Sequence, residues 1–191
     1  MDRKQVLLAG GIGSGKSEVG RLLQARGCCI IDADQVGHEV LEPGGEVFDH
    51  VAAAFPDTLV DGTIDRSLLA GEVFADPIKL LQLESLTHPA IRARIRRSVE
   101  ECGSRVVVVE VPLISDFLGD GWIRVVVDAP TERRLHRLQV RGMDAEDARR
   151  RMDAQPSRRQ WREAADFLVD NSGDLEDLER EVERLWAWLS D

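Results

Sequence analysis

Eight residues near the start of the chain carry its most explicit chemistry: Gly10-Gly11-Ile12-Gly13-Ser14-Gly15-Lys16-Ser17. They follow the apolar run Val6-Leu7-Leu8-Ala9 and fit the phosphate-binding pattern G-x-x-x-x-G-K-[ST] without a gap. Glycines at these positions let consecutive backbone N–H groups turn inward around a phosphate, which a Cβ would hinder. The loop from Gly11 to Gly15 is therefore read as a cradle for a nucleoside triphosphate. Lys16 is placed to reach the β- and γ-phosphates, and the Ser17 hydroxyl has the type and position that hold Mg²⁺. The alternative, a glycine-rich turn with a chance lysine, does not explain the strand-like run before the motif and the helical pattern after it.

Other charged residues extend this chemistry. Two acids, Asp32 and Asp34, stand just past a second apolar run, and Glu110 ends a third as an acid of Walker-B type or a solvated strand-end carboxylate. From Arg133 to Arg162 there are ten arginines against four acids, whereas Asp170 to Asp191 holds eight acids and two arginines. Most such arginines are expected on solvated helix faces. Arg141 is the best placed to neutralise charge on a transferring phosphoryl group, with Arg137 a turn earlier. Asn171 and Gly173, after the last strand-like run, are positioned to border an adenine ring. The formal net charge of −10 argues against a nucleic-acid role, so the basic segments are read as local anion sites.

These residues need a frame. Five strand-like runs are legible: Val6–Ala9, Cys28–Ile31, Val106–Glu110, Ile123–Asp128 and Phe167–Val169. Most are continuous Val/Ile/Leu stretches, as expected of parallel strands covered on both faces. Helical patterns separate them, which predicts an α/β fold with a doubly wound, five-stranded parallel sheet flanked by helices. The clearest helix carries Leu175, Leu178, Val182, Leu185 and Leu189, with Asp174 as its cap. The expected arrangement is a single unit. Its core comprises about 1–32, 106–140 and 166–191, with a helical acceptor-binding insertion at about 33–105 and a lid at about 141–165. Within the insertion, helices are predicted at Asp34–Leu41, Gly45–Phe55 and Arg66–Phe74. A longer one after Pro77 is expected to break at His88-Pro89.

Composition narrows the class. The chain is 43% hydrophobic and 31% charged, with no run long enough to span a bilayer and no signal-like start, so a cytoplasmic location is expected. Cys28, Cys29 and Cys102 form neither a disulfide framework nor a zinc pattern. A GTPase would need N-K-x-D, but Asn171 is the sole asparagine and Ser172 follows it. A signature helix for a transport ATPase is absent too. A small-molecule kinase with an acceptor subdomain and an arginine-bearing lid remains. Alternatives are a kinase of another hydroxyl acceptor, such as a nucleoside or sugar, and a non-catalytic nucleotide sensor.

The chain resembles the dephospho-CoA kinases over nearly its whole length. The resemblance rests on the P-loop, Asp32-Ala33-Asp34, Glu42-Pro43-Gly44, Asp61-Gly62, Asp65-Arg66, His88-Pro89 and Val111-Pro112-Leu113. It continues through Arg137-Leu138, Arg141-Gly142, Gln155, Ala165-Asp166, and Asn171 with Gly173. It implies phosphorylation of the ribose 3′-hydroxyl of dephospho-CoA with ATP and Mg²⁺; no nucleic-acid or membrane partner is expected from the acidity and the short apolar runs, and a monomer is expected over an oligomer. It gives Asp34 the role of proton acceptor; the residue-level alternative, a helix cap, is compatible with that role. It places Ser17 and Asp32 at the metal, and Asp34, Arg66, His88, Pro112 and Leu113 at the acceptor. His88 could equally orient a turn at Pro89. Two departures stand out. Glu18 follows the P-loop serine where the family has Thr or Ser, and Ile114-Ser115-Asp116 replaces the usual Leu, apolar residue and Glu.

Overall fold

The structure is a computed structural model and describes residues 3–112 and 116–190. In chain order the strands are β1 (Lys4–Ala9), β2 (Cys29–Asp32), β3 (Leu59–Val60), β4 (Thr63–Ile64), β5 (Val106–Glu110), β6 (Ile123–Asp128) and β7 (Phe167–Asp170). The helices are α1 (Lys16–Gln24), α2 (Ala33–Glu39), α3 (Phe48–Ala54), α4 (Arg66–Phe74), α5 (Pro77–Glu101), α6 (Thr131–Val140), α7 (Ala145–Asp153), α8 (Arg158–Glu163) and α9 (Leu175–Ser190). They divide into two compact units. One is drawn from 1–32 and 102–191, and the other is the continuous stretch 33–101.

In the first unit, five strands form one parallel sheet in the order β2-β5-β1-β6-β7. The expected runs match these strands to within two residues at each end, and the expected fold class holds. Val6, Leu8, Val106, Val108, Val125 and Val127 share a buried cluster with Val19, Leu23, Val182 and Leu185 of α1 and α9. The intervening Leu7, Val107, Val109 and Val126 are equally buried and face the other way. Coverage of both faces is why these strands read as unbroken apolar runs. Parallel register levels the carboxyl ends, with Asp32 opposite Glu110 and Asp128 opposite Asp170. From the central β1 the chain turns to β2 on one side, while β6 lies on the other. The loop after β1 therefore opens at a topological switch point, where doubly wound sheets bind ligands. Asp174 caps α9 as expected, accepting the Asp177 N–H at 2.9 Å.

The second unit packs α2, α3 and α4 on α5, burying Val36, Val51, Leu69, Val73, Ile95 and Val99. Here the structure corrects the sequence reading three times. First, α5 runs 25 residues without a break at His88-Pro89. Proline inside a helix forfeits one backbone hydrogen bond and costs about 3 kcal/mol. Burial of Thr87, Ile95 and Val99 along the same helix offsets that loss. Second, α2 begins at Ala33, so Asp34 lies inside its first turn and is not its cap. Third, β3 and β4 form an unforeseen antiparallel hairpin. Asp61 at φ +49° and Gly62 at φ +79° supply the two left-handed residues that a two-residue hairpin turn demands. Among the described residues no helix is long and apolar enough to cross a membrane.

Candidate active site

The loop between β1 and α1 is built by close approach. Gly13 and Gly15 have φ of +77° and +102°, the left-handed region that disfavours side chains. A Cβ on Gly13 would lie 2.8 Å from the Arg134 carbonyl, and one on Gly15 would run into the Asn171 amide. Gly15 is also the residue preceding α1, and no side chain caps that helix. The first-turn amides of α1 therefore point out of the helix toward the loop, an arrangement suited to anions. Lys16 Nζ donates to the Gly10 carbonyl at 2.8 Å, which lays its ammonium back along the loop.

Two networks brace this loop from outside. In the first, Arg137 on α6 donates to the Ser14 carbonyl at 3.1 Å and to both the carbonyl and Oδ1 of Asn171 at 3.0 Å. Asn171, just after β7 and only 5% exposed, donates in turn to the Ser14 carbonyl at 2.7 Å. Burial, then the nearby charges of Arg133 and Arg141, pulls the Arg137 guanidinium below its ordinary value. In the second network, Arg134 donates to the Ile12 carbonyl at 2.8 Å, and Gln155 Oε1 accepts the Ile12 N–H at 2.8 Å. Arg134 also donates to Gln155 Oε1 at 3.3 Å, so the backbone of Ile12 is held at both its N–H and its carbonyl, in two successive peptide groups.

A third arginine cluster sits at the end of β6. Buried Asp128 accepts from Arg158 through both oxygens at 2.8 Å and from Arg162 at 2.5 Å. Burial alone would push its carboxyl up, but the hydrogen bonds and charges of Arg158 and Arg162 hold it below the usual 3.8. Residues of the segment read as a lid are thereby tied through α8 to the carboxyl end of β6, an inner strand of the sheet.

The structure brings Gly11, Ile12, Gly13, Ser14, Gly15, Lys16 and Ser17 together with Arg137 and Asn171. Arg141 follows α6 as its exposed C-terminal residue, and Gly173 precedes α9, where a Cβ would meet the Asp177 carboxylate. Asp32 is exposed at the end of β2. Asp34, Arg66 and His88 belong to the second unit. Asp34 is exposed on α2, Arg66 opens α4 and donates to His38 Nε2, and His88 lies half-buried within α5. Pro112 is exposed beyond β5. Leu113 lies outside the described residues, as do Ile114, Ser115 and the side chain of Asp116.

Sequence reasoning missed Arg134, Gln155, Asp128, Arg158 and Arg162 as parts of this framework. Gln155 bonds to Ile12 across 143 positions of chain, and no local pattern signals such a contact. The cues in the sequence were the density of arginines and the place of Gln155 among the family-like residues. No group of three or more His, Cys, Asp or Glu among the described residues could hold a metal.

A family model described as dephospho-CoA kinase matches residues 5–177. The dephospho-CoA kinase of Frankia casuarinae is 44% identical over 187 residues, spanning 95% of this chain and 82% of that one. Among solved structures, a Thermus thermophilus protein aligns over all of both chains with a TM-score of 0.88 at 31% identity. The dephospho-CoA kinase from Campylobacter jejuni aligns over 97% of this chain and 96% of its own, with a TM-score of 0.70 at 25% identity. A braced P-loop at the switch point of a parallel sheet and a match along nearly the whole sequence agree: the chain belongs to the dephospho-CoA kinase family, the kinases that complete coenzyme A synthesis.

Proposed function

We propose that this chain transfers the γ-phosphoryl group of ATP to the ribose 3′-hydroxyl of dephospho-CoA. The observation that carries this reading is the P-loop itself, its Ser14 and Ile12 peptides fixed by Arg137, Asn171, Arg134 and Gln155. Phosphoryl transfer asks a protein mainly for positioning and charge neutralisation, and a loop held at several points supplies the first. The amides from Gly11 to Ser17 hold the phosphates, and Lys16 swings from the Gly10 carbonyl to neutralise the β- and γ-oxygens. Arg141 supplies a further cation as charge builds on the transferring group. Asp34 orients the 3′-hydroxyl and takes its proton as oxygen bonds to phosphorus. Asn171 and Gly173 border the adenine, and Arg66, His88, Pro112 and Leu113 contact the acceptor. Ser17, and Asp32 through water, would hold Mg²⁺, which when bound offsets the negative charge of the phosphates. The strong overall acidity, a net −10, supports action on small molecules without nucleic acid. We place the enzyme in the cytoplasm as a monomer.

The test is ADP release from ATP and Mg²⁺ against dephospho-CoA, adenosine and gluconate, with mass spectrometry of the product. Dephospho-CoA should be the preferred acceptor and should gain one phosphate on its ribose. An inert dephospho-CoA beside rapid turnover of adenosine or gluconate would replace this reading with another kinase.

A further inference from the structure

Among the described residues, two buried side-chain polar atoms have no hydrogen-bond partner: Ser14 Oγ in the nucleotide loop and Trp161 Nε1 in α8. The two residues are far apart in the chain, yet both line one small cavity, whose wall also includes Asp128, Arg134 and Arg158. Both side chains are enclosed, Ser14 at 1% exposure and Trp161 at 3%. A Cβ on Gly10 would lie 2.7 Å from Ser14 Oγ and 2.5 Å from the Val127 carbonyl, so the hydroxyl is tucked against the end of β6. On α8, Arg158, Trp161 and Arg162 stand at i, i+3 and i+4 and share a face. The grip of Arg158 and Arg162 on Asp128 draws that face, and the indole with it, to the same strand end.

A buried hydroxyl and a buried indole N–H are costly to leave unpaired, and native interiors satisfy such groups with protein or with ordered water. The two are chemically complementary, because an indole N–H only donates whereas a hydroxyl donates and accepts. The cavity measures about 10 Å³, enough for one water and far too small for a nucleotide or a phosphate. Asp128 lines it as well and offers carboxylate lone pairs, so a water there has the several polar partners it needs. We infer that one ordered water occupies this cavity, accepting from Trp161 Nε1–H and bonded to Ser14 Oγ, and that Trp161 is thereby a positioning residue for the nucleotide loop. It acts through the water on Ser14, the residue whose carbonyl Arg137 and Asn171 already hold. Ser14 is then fixed through side chain and main chain together. The segment carrying α8 is coupled to the phosphate cradle without touching the nucleotide. A purely apolar packing role would be served by phenylalanine, which buries no donor.

The experiment is proton–nitrogen NMR of the isotopically labelled parent, whose four tryptophans give four indole signals. Trp161→Phe identifies the signal of residue 161. Through-space transfer from water to that indole proton is expected, with the sign of a long-lived bound water and not of chemical exchange. Ser14→Ala should shift the same signal and weaken the transfer. Calorimetric binding of a non-hydrolysable ATP analogue with Mg²⁺ supplies the functional readout. Trp161→Phe should weaken it about threefold to tenfold, the worth of one neutral hydrogen bond. Added to Ser14→Ala, the same change should cost no more than about a further twofold, because both act through one contact. An indole proton that shows no water transfer, or is indifferent to Ser14→Ala, would overturn the water bridge. Additive losses in the double variant, or parental affinity in Trp161→Phe, would overturn the positioning role. Should Trp161→Phe unfold, the parent spectrum and Ser14→Ala still decide, with the indole signal assigned from the labelled backbone. None of these readouts involves the acceptor, so the inference is tested separately from the dephospho-CoA assignment.

Discussion

Gln155→Ala isolates the contribution of the bracing network to catalysis. The amide oxygen accepts the Ile12 N–H at 2.8 Å and an Arg134 N–H at 3.3 Å. Removing it leaves one peptide donor without its partner and lets the Arg134 guanidinium move off the Ile12 carbonyl. A buried donor left unsatisfied costs about 1–3 kcal/mol. Ile12 is half-buried, so water recovers part of that, and we take about 1–2 kcal/mol as the cost to loop geometry. Such an amount corresponds to a roughly 5- to 30-fold change in a population or a rate. The assay is the initial rate of dephospho-CoA-dependent ADP formation over a range of ATP concentrations. The expected result is a fall in kcat of that size with a smaller rise in the KM for ATP, since most phosphate-binding amides remain. Gln155→Glu keeps an acceptor oxygen and should recover most of the rate. A fully active alanine variant, or a glutamate variant no better than alanine, would refute the idea that this oxygen positions the loop.

Two further predictions address charge. Asp34→Asn should lower turnover while leaving MgATP affinity near the parent value, whereas Asp32→Asn should raise the Mg²⁺ requirement and regain activity as Mg²⁺ is added. Rates against Mg²⁺ concentration for both variants decide this, and rescue of the Asp34 variant alone would reverse the two roles. The Asp128 carboxyl is held below its usual 3.8 when folded, so its stabilisation is complete above that value and disappears as pH falls through the folded value. The melting temperature of the parent should therefore exceed that of Asp128→Asn at pH 7, and the gap should narrow below about pH 3.8. A gap that is constant with pH would show that the arginine contacts do not depend on the carboxylate charge.

The core was legible because its signal is local. Val106–Glu110 and Ile123–Asp128 have the bounds expected from the runs alone, since a strand buried on both faces needs apolar residues at every position. The P-loop was legible for a similar reason: eight adjacent residues carry a whole binding function. What stayed hidden depends on partners distant in the chain. Nothing around Arg134 says that it ends on the Ile12 carbonyl, 122 positions away, rather than in solvent with Arg133. Asp61-Gly62 was quoted as a family feature, yet its flanking strands are two residues each, too short for alternation to register. Pro89 reads as a breaker because local cost is visible in sequence and the compensating burial of Ile95 and Val99 is not.

The discontinuity of the first unit has a consequence during synthesis. The strand β1 leaves the ribosome well before the strands that pair with it, β5 and β6, which begin only at Val106 and Ile123. Until then Val6, Leu7, Leu8 and Ala9 present two unpaired edges and an apolar surface. The contiguous stretch 33–101, whose partners are all near in sequence, can acquire its structure meanwhile. The nucleotide loop reaches its final form last, because Asn171 arrives after β7 and its amide is what closes on the Ser14 carbonyl. Nascent chains released before that point carry the whole phosphate-binding motif without the brace that shapes it, and their exposed β1 makes them the species to watch for aggregation when expression is forced.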